Sequence, residues 1–274
     1  MQVNAGPSVS NGSPQTRAKT VRVTPDVVDP EQRREIAAVA PPQADLASLS
    51  EATDLHERGW AFERSGEFTQ AIGAFSRALE LRPDFADAYF GRAWVRDRLD
   101  QLDQATTDYG RAIQIEPKFA AAYGSRGVAL FYLDQLAEAE LDFAQALRLG
   151  RGELRRFAVL WRYLSAEHDG RDGAAQLADD TQNIKLDRWP GVIARYYLGA
   201  VDAEAILENA HDPDSMVTSE RLCVAYFFIG QKHLLDGSAA QARDNFQKTL
   251  GTGVTEFIQY KAAQRELDRL ARLR

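Results

Sequence analysis

Three successive segments, Ala52–Phe85, Ala86–Phe119 and Ala120–Glu153, align without a gap at thirty-four residues each. The eighth position reads Gly59, Ala93 and Gly127, and the twentieth reads Ala71, Ala105 and Ala139. The twenty-fourth reads Phe75, Tyr109 and Phe143, the twenty-seventh Ala78, Ala112 and Ala146, and the thirty-second Pro83, Pro117 and then Arg151. Small residues recur where two helices must cross closely, and large ones where the space between helices must be filled. A unit this short cannot bury its own apolar face, so units must stack, and stacking at a fixed step forces every interface to reuse one geometry. The chain is therefore expected to be an all-α solenoid.

Each unit carries two helices. In the first, Leu55, Gly59 and Phe62 share a face of helix A, while Ala71, Phe75, Ala78 and Leu79 share a face of helix B. The turn between them reads Ser65-Gly66, then Leu99-Asp100, then Leu133-Asp134, and Pro83 and Pro117 stop helix B because proline has no N–H to donate. After the third unit the regularity pauses at Gly150 and Gly152. An amphipathic helix follows, with Phe157, Leu160, Trp161 and Leu164 on one side. Shortened, degenerate helices around Gly199 come next. The spacing returns at Cys223, with Gly230, Ala242 and Phe246 at the eighth, twentieth and twenty-fourth places of a last unit. A helix over residues 255–273 is expected to cover the open end with its polar face. The organisation predicted is a proline-rich tail over 1–46, three regular repeats over 47–153, degenerate helices over 154–219, and the last repeat with its capping helix over 220–274.

These units resemble the tetratricopeptide repeat in length, small positions, aromatic position and terminal proline. The resemblance implies a right-handed superhelix. One departure is Arg58, Arg92 and Arg126 at the seventh position, where the family usually has leucine; a buried stem with a solvated tip is expected there. The family lines its concave face with the second, fifth, ninth, twelfth and thirteenth positions. Here those give His56, Trp60, Glu63 and Arg64, then Phe90, Trp94, Asp97 and Arg98, then Val128, Phe131 and Tyr132. Exposed tryptophans beside arginines favour an interaction surface, and a groove of this kind binds an extended or helical peptide. The same aromatics could instead pack on a neighbouring helix or a partner subunit. A second aromatic cluster, Trp161, Trp189, Tyr196 and Tyr197, is read as core or subunit interface.

The order of parts is similar to that of the NlpI-type lipoproteins of the bacterial envelope. The features that carry this are Trp189, Ile193, Tyr197 and Gly199 in the phrase W-x-x-x-I-x-x-x-Y-x-G, together with the terminal repeat. That resemblance implies a homodimeric, all-helical adaptor that brings cell-wall hydrolases to partners, a periplasmic processing protease among them. The alternative is a cytoplasmic co-chaperone or complex-assembly factor.

Composition narrows the remaining choices. A net charge of −7 leaves no basic surplus for phosphate contacts, so a nucleic-acid partner is not expected. No run is apolar enough to span a membrane. The first residues carry neither an apolar h-region nor a lipid-bearing cysteine, so the chain as written is expected to lack a signal and to be cytoplasmic, or periplasmic if a leader belongs before it. Six of the ten prolines fall within residues 1–42, and no aromatic precedes Trp60, so a linker or docking arm is expected there, with one short helix starting at Asp29. The four histidines, His56, His168, His211 and His233, show no metal spacing, and Cys223 is read as a buried apolar side chain. Phosphate-loop, dinucleotide and nucleophile-elbow strings are absent. The expectation is a non-enzymatic protein with no cofactor and no metal, whose partners are proteins or peptides.

Overall fold

Each thirty-four-residue unit folds as a helical hairpin whose turn falls at the fifteenth position. In the computed structural model, which describes residues 46–272, these are α1 (Leu46–Arg64) with α2 (Phe68–Leu81), α3 (Ala86–Arg98) with α4 (Leu102–Ile115), and α5 (Ala120–Tyr132) with α6 (Leu136–Leu149). The tail expected over 1–46 lies, but for Leu46 in α1, outside the described residues, and so does the short helix expected from Asp29. The turn residue must take a left-handed conformation: Gly66 has φ +78°, and Asp100 and Asp134 both have φ +58°. Glycine does so freely and aspartate tolerates it.

The small-against-large pattern has a direct geometric basis. A Cβ added to Gly59 would lie 2.6 Å from the Phe75 ring, one on Gly127 would lie 2.7 Å from Phe143, and one on Gly230 would lie 2.7 Å from Phe246. The eighth position therefore holds glycine where a phenylalanine ring fills the crossing. Phe75, Tyr109, Phe143 and Phe246 are all fully buried or nearly so.

Arg92 and Arg126 differ from expectation at their tips. Neither guanidinium is left to solvent. Arg92 grips Asp108 through Nε and Nη2, each at 2.8 Å, and reaches Ser76 in the preceding unit at 3.1 Å. Arg126 grips Asp142 in the same fork at 2.6 and 2.7 Å. The cause lies at the twenty-third position, which holds Asp108 and Asp142 in these units but Ala74 in the first, where Arg58 stays exposed. A planar guanidinium matches a carboxylate in two parallel hydrogen bonds, so the pair staples helix A to helix B of its own unit.

The irregular middle contains α7 (Gly152–His168), α8 (Gly173–Thr181), α9 (Gly191–Tyr197) and α10 (Ala203–Ala210). Here short helices start on aspartate caps: Asp172 accepts from the Ala175 N–H and Asp202 from the Ala205 N–H. Trp161 stands on α7 at the eighth place of the continued thirty-four-residue step, and it is buried at the centre of the largest core cluster, against Phe143, Phe131, Phe227 and Phe228. Tyr197 is also core, while Trp189 and Tyr196 are half-buried at its edge. The final hairpin is α11 (Ser215–Leu235) with α12 (Ala239–Gly251), followed by α13 (Ile258–Arg272).

The last helix does more than cover the open end. It packs on α12 and α11, as a cap should, and its side chains also reach the ends of α3 and α5. Lys261, Arg265 and Arg269, one turn apart on one face, meet Asp100, Asp97 and Asp134. Between them, the buried Glu266 accepts hydrogen bonds from Tyr132 Oη at 3.1 Å and Gln231 Nε2 at 2.9 Å. The helix is thus drawn to the inner face by three cations set against the acidic turns of the second and third repeats.

Candidate functional site

The A helices present their fifth and ninth positions to the inner face. In the first repeat these are His56 and Trp60. The Trp60 indole N–H donates to His56 Nε2 at 3.0 Å, so that nitrogen must be unprotonated. Burial moves the His56 pKa down from its ordinary value, which suits this acceptor role. Both rings pack edgewise or tilted on Phe75, and His56 also packs on Phe85.

In the second repeat the same positions hold Phe90 and Trp94, whose rings lie 6.5 Å apart and stacked. The Trp94 N–H reaches Glu63 at 3.2 Å, and Arg98 pairs with the same buried carboxylate. Arg64 is exposed nearby in sequence and makes no contact that defines the site. Asp97 is buried under Arg265; burial pushes its carboxyl up, against the pull of that arginine.

In the third repeat the residues shrink. The fifth position is Gly124 and the ninth is Val128. Carrying the step on once more puts Ala158 at the fifth place of α7. Where Phe90 fills the second repeat, Gly124 and Ala158 leave a void. The result is a cleft of about 390 Å³ between α3, α5, α7 and the segment entering α13. Its walls are Phe90, Trp94, Val128, Leu154, Phe157 and Trp161, and Phe257 and Ile258 close one side. Ser125, Glu256 and Gln259 supply the few polar groups. The volume lies in the range that holds a small ligand or a few side chains.

The structure therefore divides the predicted groove residues. Phe90, Trp94 and Val128 line the cleft together. Arg98 and Asp97 do not line the cleft; they line a small adjoining pocket that shares Trp94, Glu256, Phe257 and Ile258 with it, tied to Glu63 and Arg265. His56 and Trp60 form a separate aromatic patch on the first repeat. Phe131 and Tyr132 lie in the core instead: Phe131 packs on Trp161 and His168, and Tyr132 is covered by Arg265 and Arg269. They sit at the end of α5, where α7 and α13 have closed over the inner face. Leu154, Phe157, Trp161, Phe257 and Ile258 were not among the predicted lining. The signal that finds Ala158 and its neighbours is the thirty-four-residue step extended into α7; for the return of α13 the sequence offers only the aspartates that replace glycine at the turn position, Asp100 and Asp134.

Among the described residues there is no cluster of three or more histidine, cysteine or acidic side chains able to hold a metal ion, and no helix long and apolar enough to cross a membrane. Cys223 is buried, and burial pushes its thiol up to about 11.

Comparison with known proteins agrees with this architecture. Residues 52–85 and 86–119 each match the tetratricopeptide repeat family. A lipoprotein NlpI homolog of Haemophilus influenzae is 26% identical over 117 residues. That match covers 42% of this chain, which spans only 37% of the length of that relative. A tetratricopeptide repeat protein of solved structure from Parabacteroides merdae superposes with a TM-score of 0.53 at 16% identity, over 88% of this chain and 90% of its own, and so shares the fold. Residues 52–119 thus carry two tetratricopeptide repeats, and the chain resembles the NlpI homolog over 42% of its length.

Proposed function

We propose that this protein is a non-enzymatic adaptor that binds segments of other proteins in the inner cleft. The observation that carries this reading is the cleft itself. It is a preformed, almost wholly apolar concavity on the face that a helical-repeat array turns toward its ligands, edged by two half-buried aromatics, Phe90 and Trp94. Tryptophan is a usual anchor of a binding hot spot, and phenylalanine is enriched at interfaces.

The NlpI-like layout supports a finer reading: a homodimeric scaffold of the bacterial envelope that recruits cell-wall hydrolases and a protease. The H. influenzae relative is named a lipoprotein, which favours the envelope as the place of action.

The test is affinity capture from the native cells with the tagged chain, beside a Trp94→Ala variant of matched helicity. Cell-wall hydrolases or a periplasmic protease captured by the parent and lost from the variant are the expected result. Cytosolic chaperones would move the role to the cytoplasm, and capture unchanged by the variant would remove the cleft from the function. Light scattering of the purified protein is expected to give twice the chain mass; a single-chain mass removes the dimer.

A further inference from the structure

We infer that the cleft takes a neutral, bulky-apolar stretch from the interior of a partner chain, and does not read an acidic carboxyl terminus. This rests on the cleft being a peptide groove and states what the peptide must be.

The charges beside the cleft decide the matter. Three cations, Arg98, Lys261 and Arg265, line a small pocket that adjoins the cleft and shares Trp94, Glu256, Phe257 and Ile258 with it. All are already paired: Arg98 with Glu63, Lys261 with Asp100, and Arg265 with both Asp97 and Asp100. A terminal carboxylate would have to displace a protein carboxylate from each cation it used, and Glu63 and Asp97 are buried groups that cannot be left unpaired cheaply. The charge on the cleft lining is Glu256, an acid that makes no ion pair among the described residues. An incoming carboxylate meets a like charge and, among the lining residues, no cation; the side-chain amide and hydroxyl of Gln259 and Ser125 are neutral. An apolar side chain meets nothing it must displace.

The apolar lining points the same way. The void exists because the fifth position falls from Phe90 to Gly124 and Ala158, so the missing volume is that of large side chains. This chain supplies an example of what fits: the adjacent pair Phe257 and Ile258 already lies along one wall. A partner segment with two bulky apolar residues set close together completes the wall that Phe257 and Ile258 begin.

Gly124 gives the test a variant that fills the cleft without disturbing the core. A Cβ there finds Leu154 at 3.5 Å and Ala146 at 3.9 Å, which is ordinary contact. Gly124→Leu therefore projects its branch into the void and replaces a glycine inside a helix, so its melting temperature is expected to hold or rise. Two random twelve-residue peptide libraries are displayed against the full chain, one embedded between flanking sequence and the other ending in a free carboxyl terminus. The embedded library is expected to enrich paired Phe, Leu, Ile or Trp, and synthetic capped peptides from it should lose at least tenfold in affinity for Gly124→Leu. Enrichment of acidic free termini overturns the inferred chemistry while keeping the groove. Enrichment in neither library removes the groove reading itself. Undiminished binding to Gly124→Leu places the peptide elsewhere. Loss of a dimer in Gly124→Leu, seen by sedimentation, makes a second copy of this chain the occupant and overturns the inference as well.

Discussion

Arg265 and Asp97 stand 168 positions apart and form an ion pair at 2.5 Å, with about nine-tenths of each side chain buried. The same guanidinium reaches the Asp97 carbonyl oxygen at 2.6 Å and Asp100 Oδ1 at 2.8 Å. Arg265→Ala leaves the buried Asp97 carboxylate without its counter-charge, and breaking such a pair from one side costs about 3–5 kcal/mol. Urea unfolding should show that loss as a lowered midpoint. Replacing Asp97 and Arg265 together with leucine should recover much of it, because no buried charge is then orphaned.

Two glycines three residues apart in α5 are expected to respond to alanine with opposite signs. Gly127→Ala drives a Cβ to 2.7 Å from the Phe143 ring, and overpacking of that kind costs about 1–3 kcal/mol. Gly124→Ala meets nothing closer than 3.5 Å and removes a flexible residue from a helix interior, a gain of about 0.5–1 kcal/mol. Thermal melts of the two variants side by side decide it. Equal effects would mean that the crossing at the eighth position is looser than the geometry indicates.

Acidification should loosen the first repeat. The folded-state pKa of His56 lies below the ordinary value of 6.5 because burial disfavours the imidazolium, and its Nε2 must stay free of a proton to accept from Trp60. The unfolded chain therefore binds the proton more readily. Stability from this source is complete above pH 6.5 and is lost as pH falls from there toward the lower folded-state value. His168, also held down by burial, acts in the same direction. His56→Phe should remove part of the slope of stability against pH in that window, and an unchanged slope would assign it to His168 alone.

Cys223 should be inert in the native protein. With its thiol held near 11, thiolate is scarce at pH 8, and the buried sulfur is closed to reagent. Ellman's reagent is expected to react only as fast as the protein opens, so urea below the transition should accelerate it steeply. Prompt stoichiometric reaction in buffer would contradict the burial.

The repeat made most of this architecture readable, since a thirty-four-residue step with glycine or alanine at the eighth place and a ring at the twenty-fourth admits few packings. Phe90, Trp94 and Val128 were legible as lining for the same reason. What escaped prediction depends on contacts distant in sequence. Phe131 and Tyr132 look like groove residues within their own unit, and only the arrival of α7 and α13 buries them. Asp100 and Asp134 carry a visible trace of that arrival. A left-handed turn site that holds glycine in the first and last repeats holds aspartate in the two that face the cations of α13. The fork between Arg92 and Asp108 was hidden more simply: the two positions belong to different helices, and their meeting follows from the hairpin, not from spacing along either one.

The return of α13 changes what kind of object this solenoid is. An open array is modular: each repeat answers only to its neighbours, ends can fray alone, and units can be added or deleted with local effect. Here the last helix is clamped to the second and third repeats, so the array is fastened back onto its own earlier units like a buckled strap. Repeats inside the buckle lose that independence. Their number is fixed by the span α13 must close, and insertion or deletion of a single unit among them would break the closure. Unfolding from the C-terminus has to release the inner face of the second and third repeats, which makes the concave surface and the terminus parts of one cooperative unit.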